Sequence, residues 1–161
     1  MIRKVEGDIL LSKAACIAHG VAPNDDFKQG LALALRQQWP SMYKDFRHYC
    51  KVHHPKEGTA WSWGGPGGAR IVALFTQNHP THQGGHARKA TRPHVNHALK
   101  ELRHIIEKEG YDSVALPALA TGVGGLDWGD VEPLIEHHLG DLDAKIFVYT
   151  TFHSGQQADE S

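Results

Sequence analysis

The chain reads as an α/β protein with a central mixed sheet and helices on both faces, in three layers, and three observations predict this. Its second half alternates helical and strand patterns, the order that builds parallel strands joined by crossover helices. Arg70-Ile71-Val72-Ala73-Leu74-Phe75 is a continuous apolar run suited to the centre of such a sheet. Just before it, Thr59-Ala60-Trp61-Ser62-Trp63 alternates, and Gly64-Gly65-Pro66-Gly67-Gly68 supplies a turn, so the two runs form a hairpin and an antiparallel portion. With 161 residues, a single domain is expected, large enough to bury a core without staples.

In order along the chain, residues 2–6 and 15–19 read as short strands, with Cys16 a buried small apolar residue in the second. Residues 30–39 form a helix that is apolar nearly all round, which predicts that it is largely buried. Pro40 ends it, and Ser41 is expected to cap a second helix with Met42, Phe46 and Tyr49 on one face. Trp61 and Trp63 are read as sheet packing, one on each face. Residues 76–91 show no periodicity and carry Gly84-Gly85, a loop of a length that is usually functional or mobile. Thr91 then caps the clearest helix, striped by Val95, Leu99, Leu102, Ile105 and Ile106 and closed by Gly110. A strand at 113–117, a helix from about Trp128 to Leu139 and a strand at 145–150 complete the pattern. Residues 154–161 are polar and expected to fray.

Composition narrows the function classes. A net charge of -1 argues against a general nucleic-acid or membrane binder, so any phosphate ligand is held locally. Two cysteines at a spacing that fits no zinc motif predict a reducing compartment. The first eight residues are too charged for a signal peptide and no apolar run reaches membrane-spanning length, which predicts a cytoplasmic protein.

The chemistry is concentrated at strand ends. Leu116-Pro117-Ala118-Leu119-Ala120-Thr121-Gly122-Val123-Gly124-Gly125-Leu126-Asp127-Trp128 runs from a strand through a glycine loop into a helix, presenting backbone N–H groups to an anion. Taken alone, those glycines permit nothing more than a turn. In an open α/β sheet, ligands settle beyond the carboxyl ends of the strands. The segments that follow strands here supply Asp8, His19, Asn24, Asp25 and Asp26 alongside that loop, a set suited to a nucleotide diphosphate.

Four segments carry a family likeness: Val5-Glu6-Gly7-Asp8-Ile9-Leu10, Ile17-Ala18-His19-Gly20, Gln29-Gly30-Leu31-Ala32, and Leu116-Pro117 through the loop to Trp128. Over residues 2 to 152 the chain resembles a macro domain, the ADP-ribose-binding fold. It is most similar to the branch holding terminal ADP-ribose protein glycohydrolase, DNA ADP-ribosyl glycohydrolase antitoxins and ADP-ribose-1″-phosphate phosphatase. The resemblance implies a domain over 1–153 with a tail at 154–161, and no cofactor or metal. It also implies as partner ADP-ribose, free or on protein, nucleic acid or a small molecule, bound by a monomer.

By the same resemblance Asp8 accepts a hydrogen bond from the adenine amino group, with Ile9 and Phe152 beside the base. Asn24, Gly30 and Gln77 surround the distal ribose, and Thr121, Gly122, Val123, Gly124, Gly125 and Leu126 wrap the diphosphate. Two positions depart from the branch. Its nucleophilic lysine corresponds to Gln77, which cannot form a Schiff base, and its catalytic aspartate corresponds to Gly124. Lys89 is the nearby substitute. The expected activity is therefore hydrolysis of an ADP-ribosyl linkage by an activated water, with Asp25, Asp26 and His19 as candidate catalytic groups. A reader that binds without turnover is the alternative.

Each candidate has a plainer reading. Asp8 can cap a local turn, His19 can be a buried structural imidazole, and Asp25 with Asp26 can be loop solvation that raises one pKa only if the two carboxyls meet. His79, His82 and His86 match no zinc spacing and are expected to contact substrate or act as a lid.

Overall fold

The computed structural model describes residues 1–80 and 89–161. Strands β1 (Ile2–Gly7), β2 (Cys16–Val21), β3 (Ala60–Gly64), β4 (Arg70–Phe75), β5 (Ser113–Pro117) and β6 (Lys145–Phe152) form one sheet in the order β1-β6-β5-β2-β4-β3. All neighbours pair parallel except β3 with β4, where Trp61 lies opposite Ala73. The expected mixed sheet and its hairpin are both present. Because five strands run the same way, Gly7, Val21, Phe75, Pro117 and Phe152 all end at one edge, which gathers the loops that follow them.

Helices α1 (Gly30–Gln38) and α2 (Pro40–His53) pack on one face, and α3 (Arg92–Glu109) and α4 (Trp128–Leu139) on the other. The chain leaving β2 passes to the first face and the chain leaving β5 to the second, so a crevice opens between these adjacent strands at their carboxyl ends. On the α3/α4 face, Val95, Leu99, Leu102 and Ile106 are buried against Val131, Ile135 and Leu139, each contributing about 1.5–3 kcal/mol by leaving water. Thr91 Oγ1 accepts from the His94 N–H at 3.3 Å, and Gly110 closes α3 at φ 70°.

Three local expectations change. Helix α2 starts at Pro40, not after a Ser41 cap, because the fixed φ of proline suits the first helical position, with Trp39 before it. Trp61 and Trp63 share a face, as residues two apart on a strand must. Both pack with the Phe46 cluster, Trp63 donating its indole N–H to Asp45 Oδ2 at 2.8 Å. In α1 only Leu35 is fully buried, because its remaining apolar surface borders a cleft.

The segment after β6 does not fray. Ala158 is 8% exposed and packs with Val5, Ile17, Ala115, Phe147 and Tyr149, covering the β1-β6-β5 part of the sheet on the face that carries α1 and α2. Cys16 is buried in β2 as expected, and both cysteines are free. No helix among the described residues is long and apolar enough to cross a membrane.

Candidate functional site

Two cavities lie at the carboxyl edge of the sheet and share Gly30, Leu31 and Pro117 as a common wall. One, of about 450 Å³, is almost wholly apolar: Gly7 ends β1, Ile9 and Leu10 follow in a short turn, Leu31 and Ala34 come from α1, and Tyr149 and Phe152 from β6. The other, of about 280 Å³, is polar and sits in the β2/β5 crevice, lined by His19, Asp25, Gln29, Gln77 and, from the loop after β5, Ala118, Ala120, Gly122, Val123 and Gly124. Together they make one cleft with a greasy end and a hydrogen-bonding end.

At the apolar end Asp8 is buried, its Oδ1 accepting from the Leu10 N–H at 3.0 Å and its Oδ2 from the Gly155 N–H at 2.9 Å. Each carboxylate oxygen has a second lone pair, so a turn cap can still accept from a ligand. Ile9 and Phe152 both line the cavity; Phe152 is 63% exposed, a large ring left open where a flat partner could cover it.

The loop after β5 is tightly wound. Thr121 spends its N–H and its hydroxyl on the Ala118 carbonyl, Gly125 donates to Gly122 O at 3.1 Å, and Leu126 to Ala120 O at 3.0 Å. The N–H groups of Gly122, Val123 and Gly124 have no acceptor among the described residues, and these three residues line the polar cavity. Backbone N–H groups presented in this way can hold an anion. Ala120 holds the loop at φ 64°, a conformation costing about 1–3 kcal/mol in a non-glycine residue.

The segment after β2 is strained too, with Asn24 at φ 59° and buried Phe27 at φ 53°. Asp25 holds it: Oδ2 accepts from the Ala22 N–H and Oδ1 from the Phe27 N–H, both at 3.0 Å. These two hydrogen bonds hold the left-handed backbone of the segment in place. Asp25 therefore shapes the loop while also lining the polar cavity. The adjacent Asp26 accepts from Lys28 N–H at 3.2 Å, its carbonyl accepts from Arg36 at 2.9 Å, and it is not among the described lining residues. Asn24 is exposed at the turn, outside that lining.

His19 is 2% exposed, and neither ring nitrogen has a hydrogen-bond partner among the described residues. Burial pushes its pKa down to about 4, so the imidazole is neutral near pH 7, edge-on to Phe27 with centroids 5.7 Å apart. A neutral ring can accept or donate to a ligand but is a weak base at that pKa. Gln77 is buried and lines the polar cavity, bridging to Ala90. Lys89 is exposed beside the glycine loop, its stem 3.9 Å from where a Gly125 Cβ would lie. His79 is held by Glu57 at 2.9 Å, while His82 and His86 lie outside the described residues.

Of the residues singled out from sequence, the structure brings together His19, Asp25, Gly30, Gln77, Gly122, Val123 and Gly124 at one end, and Ile9 and Phe152 at the other with Asp8 behind them. Thr121, Gly125 and Leu126 serve the loop's own bonding. Tyr149, Leu31 and Ala34 were missed. The spacing of Phe147 and Tyr149 on one strand face and the surplus of apolar positions on α1 were the signals available for them.

A family model described as Macro domain matches residues 18–135. The chain is 28% identical to a DNA ADP-ribosyl transferase–DNA ADP-ribosyl glycohydrolase fusion protein of Thermosipho africanus, covering 90% of this chain and 40% of that protein. It is 28% identical to a DNA ADP-ribosyl glycohydrolase of Mycobacterium tuberculosis, covering 91% and 42%. The chain thus spans about two fifths of these relatives' length. Among solved structures, the macrodomain of Thermus aquaticus DarG superposes with a TM-score of 0.82 at 26% identity, covering 93% of this chain and 98% of that one. Thermosipho africanus DarTG in complex with ADP-ribose gives 0.82 at 22% identity, covering 97% and 42%. With nearly three quarters of its length under the family model and its sheet shared with these structures, the chain belongs to the macro domain family.

Proposed function

We propose that the chain binds ADP-ribose along this cleft and hydrolyses an ADP-ribosyl linkage at the polar end. The observation that carries the proposal is the junction of the two cavities at Gly30, Leu31 and Pro117. On its polar side lie the N–H groups of Gly122, Val123 and Gly124, which have no acceptor among the described residues. Adenine fits the apolar end against Phe152 and Ile9, with its amino group donating to Asp8. The diphosphate takes the loop amides, and the distal ribose lies among Gly30, Gln77, Asp25 and His19. The names of the relatives, a DNA ADP-ribosyl glycohydrolase from Mycobacterium and a fusion of a DNA ADP-ribosyl transferase with a DNA ADP-ribosyl glycohydrolase from Thermosipho, support this class of reaction.

In this reading water attacks C1″, the bond from C1″ to the acceptor breaks, and the leaving group departs with the electron pair and takes a proton. Asp25 orients the water and receives its proton, a contribution of about 10²–10⁴ in rate. His19, neutral, hydrogen-bonds a ribose hydroxyl or the water, and Asp26 holds the loop. Gln77, at the position matched to the lysine of relatives, offers an amide and no amine nucleophile. The buried free thiols of Cys16 and Cys50 support a cytoplasmic setting.

Calorimetry with ADP-ribose tests binding: heat is expected, and it is lost in Asp8→Ala. Incubation with ADP-ribosylated protein, ADP-ribosylated DNA and ADP-ribose-1″-phosphate tests turnover. Asp25→Asn is expected to slow turnover by about 100-fold, and also to weaken ADP-ribose binding, because the amide keeps one oxygen for the two loop N–H groups. Binding without turnover on any of the three supports the second reading, a non-catalytic reader. That reading is favoured by the commitment of both Asp25 oxygens to loop amides.

A further inference from the structure

We propose that residues 153–161 act as a strap that positions the adenine end of the cleft, with Glu160 as its clasp. The inference rests on the ADP-ribose reading above. The strap begins at the cleft, where the His153 N–H donates to Gly7 O at 3.1 Å, fixing the direction in which the chain leaves Phe152. It then engages Asp8 twice: the Asp8 N–H donates to Gln156 O at 2.7 Å, and the Gly155 N–H donates to Asp8 Oδ2 at 2.9 Å. Here Gly7 sits at φ 152°, and a Cβ on it would lie 2.8 Å from both Ala158 N and Gln156 O, so the strap lies directly on the Gly7 backbone.

From there the strap crosses the sheet face, buries Ala158 and ends in a cluster of bonds around Glu160. Glu160 Oε2 accepts from the Ser12 hydroxyl at 2.7 Å and the Tyr149 hydroxyl at 2.6 Å, and Oε1 accepts from the Lys13 N–H at 3.0 Å. Three donors on one carboxylate give the strap its strongest anchor. The other strap residues are polar or small and bury little apolar surface. Besides the bonds at Gly7 and Asp8 the segment is held only at exposed positions, where Arg3 reaches Ser161 O and Asp159 among the described residues, so losing the Glu160 anchor loosens it.

The consequence for the cleft is specific. Gly7, Tyr149 and Phe152 line the apolar cavity, and each is held by the strap or borders it. Asp8 has one oxygen fixed by its own turn through Leu10 and the other fixed only by Gly155 among the described residues. Without the strap the carboxylate keeps one restraint and can rotate, so its acceptor geometry toward an amino group is lost. A carboxylate acceptor favours adenine, whose edge carries an amino donor, over hypoxanthine, which presents a carbonyl there. The strap thus acts through Asp8 as a specificity-setting element, and Glu160 is a positioning residue.

The test compares the full chain with Glu160→Ala, and with Glu160→Gln should the alanine variant fold poorly, by amide hydrogen exchange and by calorimetry with ADP-ribose and its hypoxanthine analogue. Release of the strap is expected to speed exchange at the Asp8 and Gly155 amides at least tenfold. It is also expected to weaken ADP-ribose about tenfold and bring its preference over the hypoxanthine analogue close to one. Retained affinity and preference despite faster exchange would make the strap merely structural and overturn the proposal, as would unchanged exchange at those amides. Wild-type protein that binds neither ligand overturns the underlying site reading, a result separate from any effect of Glu160.

Discussion

The two ends of the cleft are built from opposite materials. The apolar end is made of side chains on regular elements, Leu31 and Ala34 on α1 and Tyr149 and Phe152 on β6. The polar end is made of or bordered by strained and unsatisfied parts: Asn24 and Phe27 beside it and Ala120 within it in left-handed backbone and, among the described residues, loop amides without acceptors and a buried imidazole without hydrogen-bond partners. Strain of this kind persists only where the surroundings enforce it, and it collects where geometry must be exact for binding or chemistry. The difference teaches that the apolar end offers area and shape with one carboxylate, Asp8, behind it, while the polar end carries a folding cost for its arrangement of donors and acceptors. Changes at the polar end should therefore move stability and binding together, and changes at the apolar end should move binding alone.

The largest expected effect is the acid sensitivity that His19 gives the polar end. Unfolded, the imidazole takes a proton near 6.5; folded, burial holds it to about 4. Between those values the unfolded chain binds the extra proton, so this contribution is complete above pH 6.5 and is lost as pH falls toward 4, by about 3 kcal/mol. Urea unfolding at pH 7 and at pH 4.5 should show the loss in the wild type and a flatter profile in His19→Gln. Equal profiles would mean that the imidazole is not held neutral by the fold, and the contrast between the two ends would lose its strongest support.

Next comes the glycine loop. A Cβ at Gly124 would lie 2.6 Å from Ala120 O and 3.0 Å from the Ala90 Cβ, whereas one at Gly122 meets nothing within 4 Å among the described residues. Gly124→Val is expected to cost about 1–3 kcal/mol of stability through overpacking. The displaced amides should lower ADP-ribose affinity on the order of 100-fold, equivalent to about 2.7 kcal/mol. Gly122→Ala should stay within about twofold of wild type in affinity with an unchanged melting temperature. If both substitutions are silent in calorimetry, the loop is a turn and nothing more.

This division also explains what could be read from the sequence. The sheet, its hairpin and α3 were legible because apolar periodicity, Thr91 and Gly110 report directly on strand alternation and helix ends. The glycine loop was legible because glycine marks unusual backbone, while Ala120 and Phe27 were not, since neither residue type signals positive φ. Helix α1 misled because periodicity shows that a face is apolar but not whether protein or ligand covers it. The strap was invisible because its order comes from Glu160 meeting Ser12, Lys13 and Tyr149, contacts that join distant parts of the chain. Asp25 and Asp26 are alike in sequence, and only the fold separates the one that faces the cavity from the one that does not.

The smallest expected effect, and the sharpest on the apolar end, is at Phe152. Its ring is 63% exposed, so Phe152→Ala should leave stability within about 0.5 kcal/mol of wild type. Stacking of a base on an aromatic side chain is worth about 1–3 kcal/mol by alanine substitution. A ring open on one side should fall at the low end, giving about a tenfold loss in ADP-ribose affinity. Phe152→Tyr keeps the ring and should restore most of it. Because Phe152 lines the apolar cavity and not the polar one, the proposed binding mode predicts that Phe152→Ala raises KM with kcat unchanged for an ADP-ribosyl substrate. A fall in kcat instead would show that the two ends are coupled, with the greasy end helping to set the geometry at C1″.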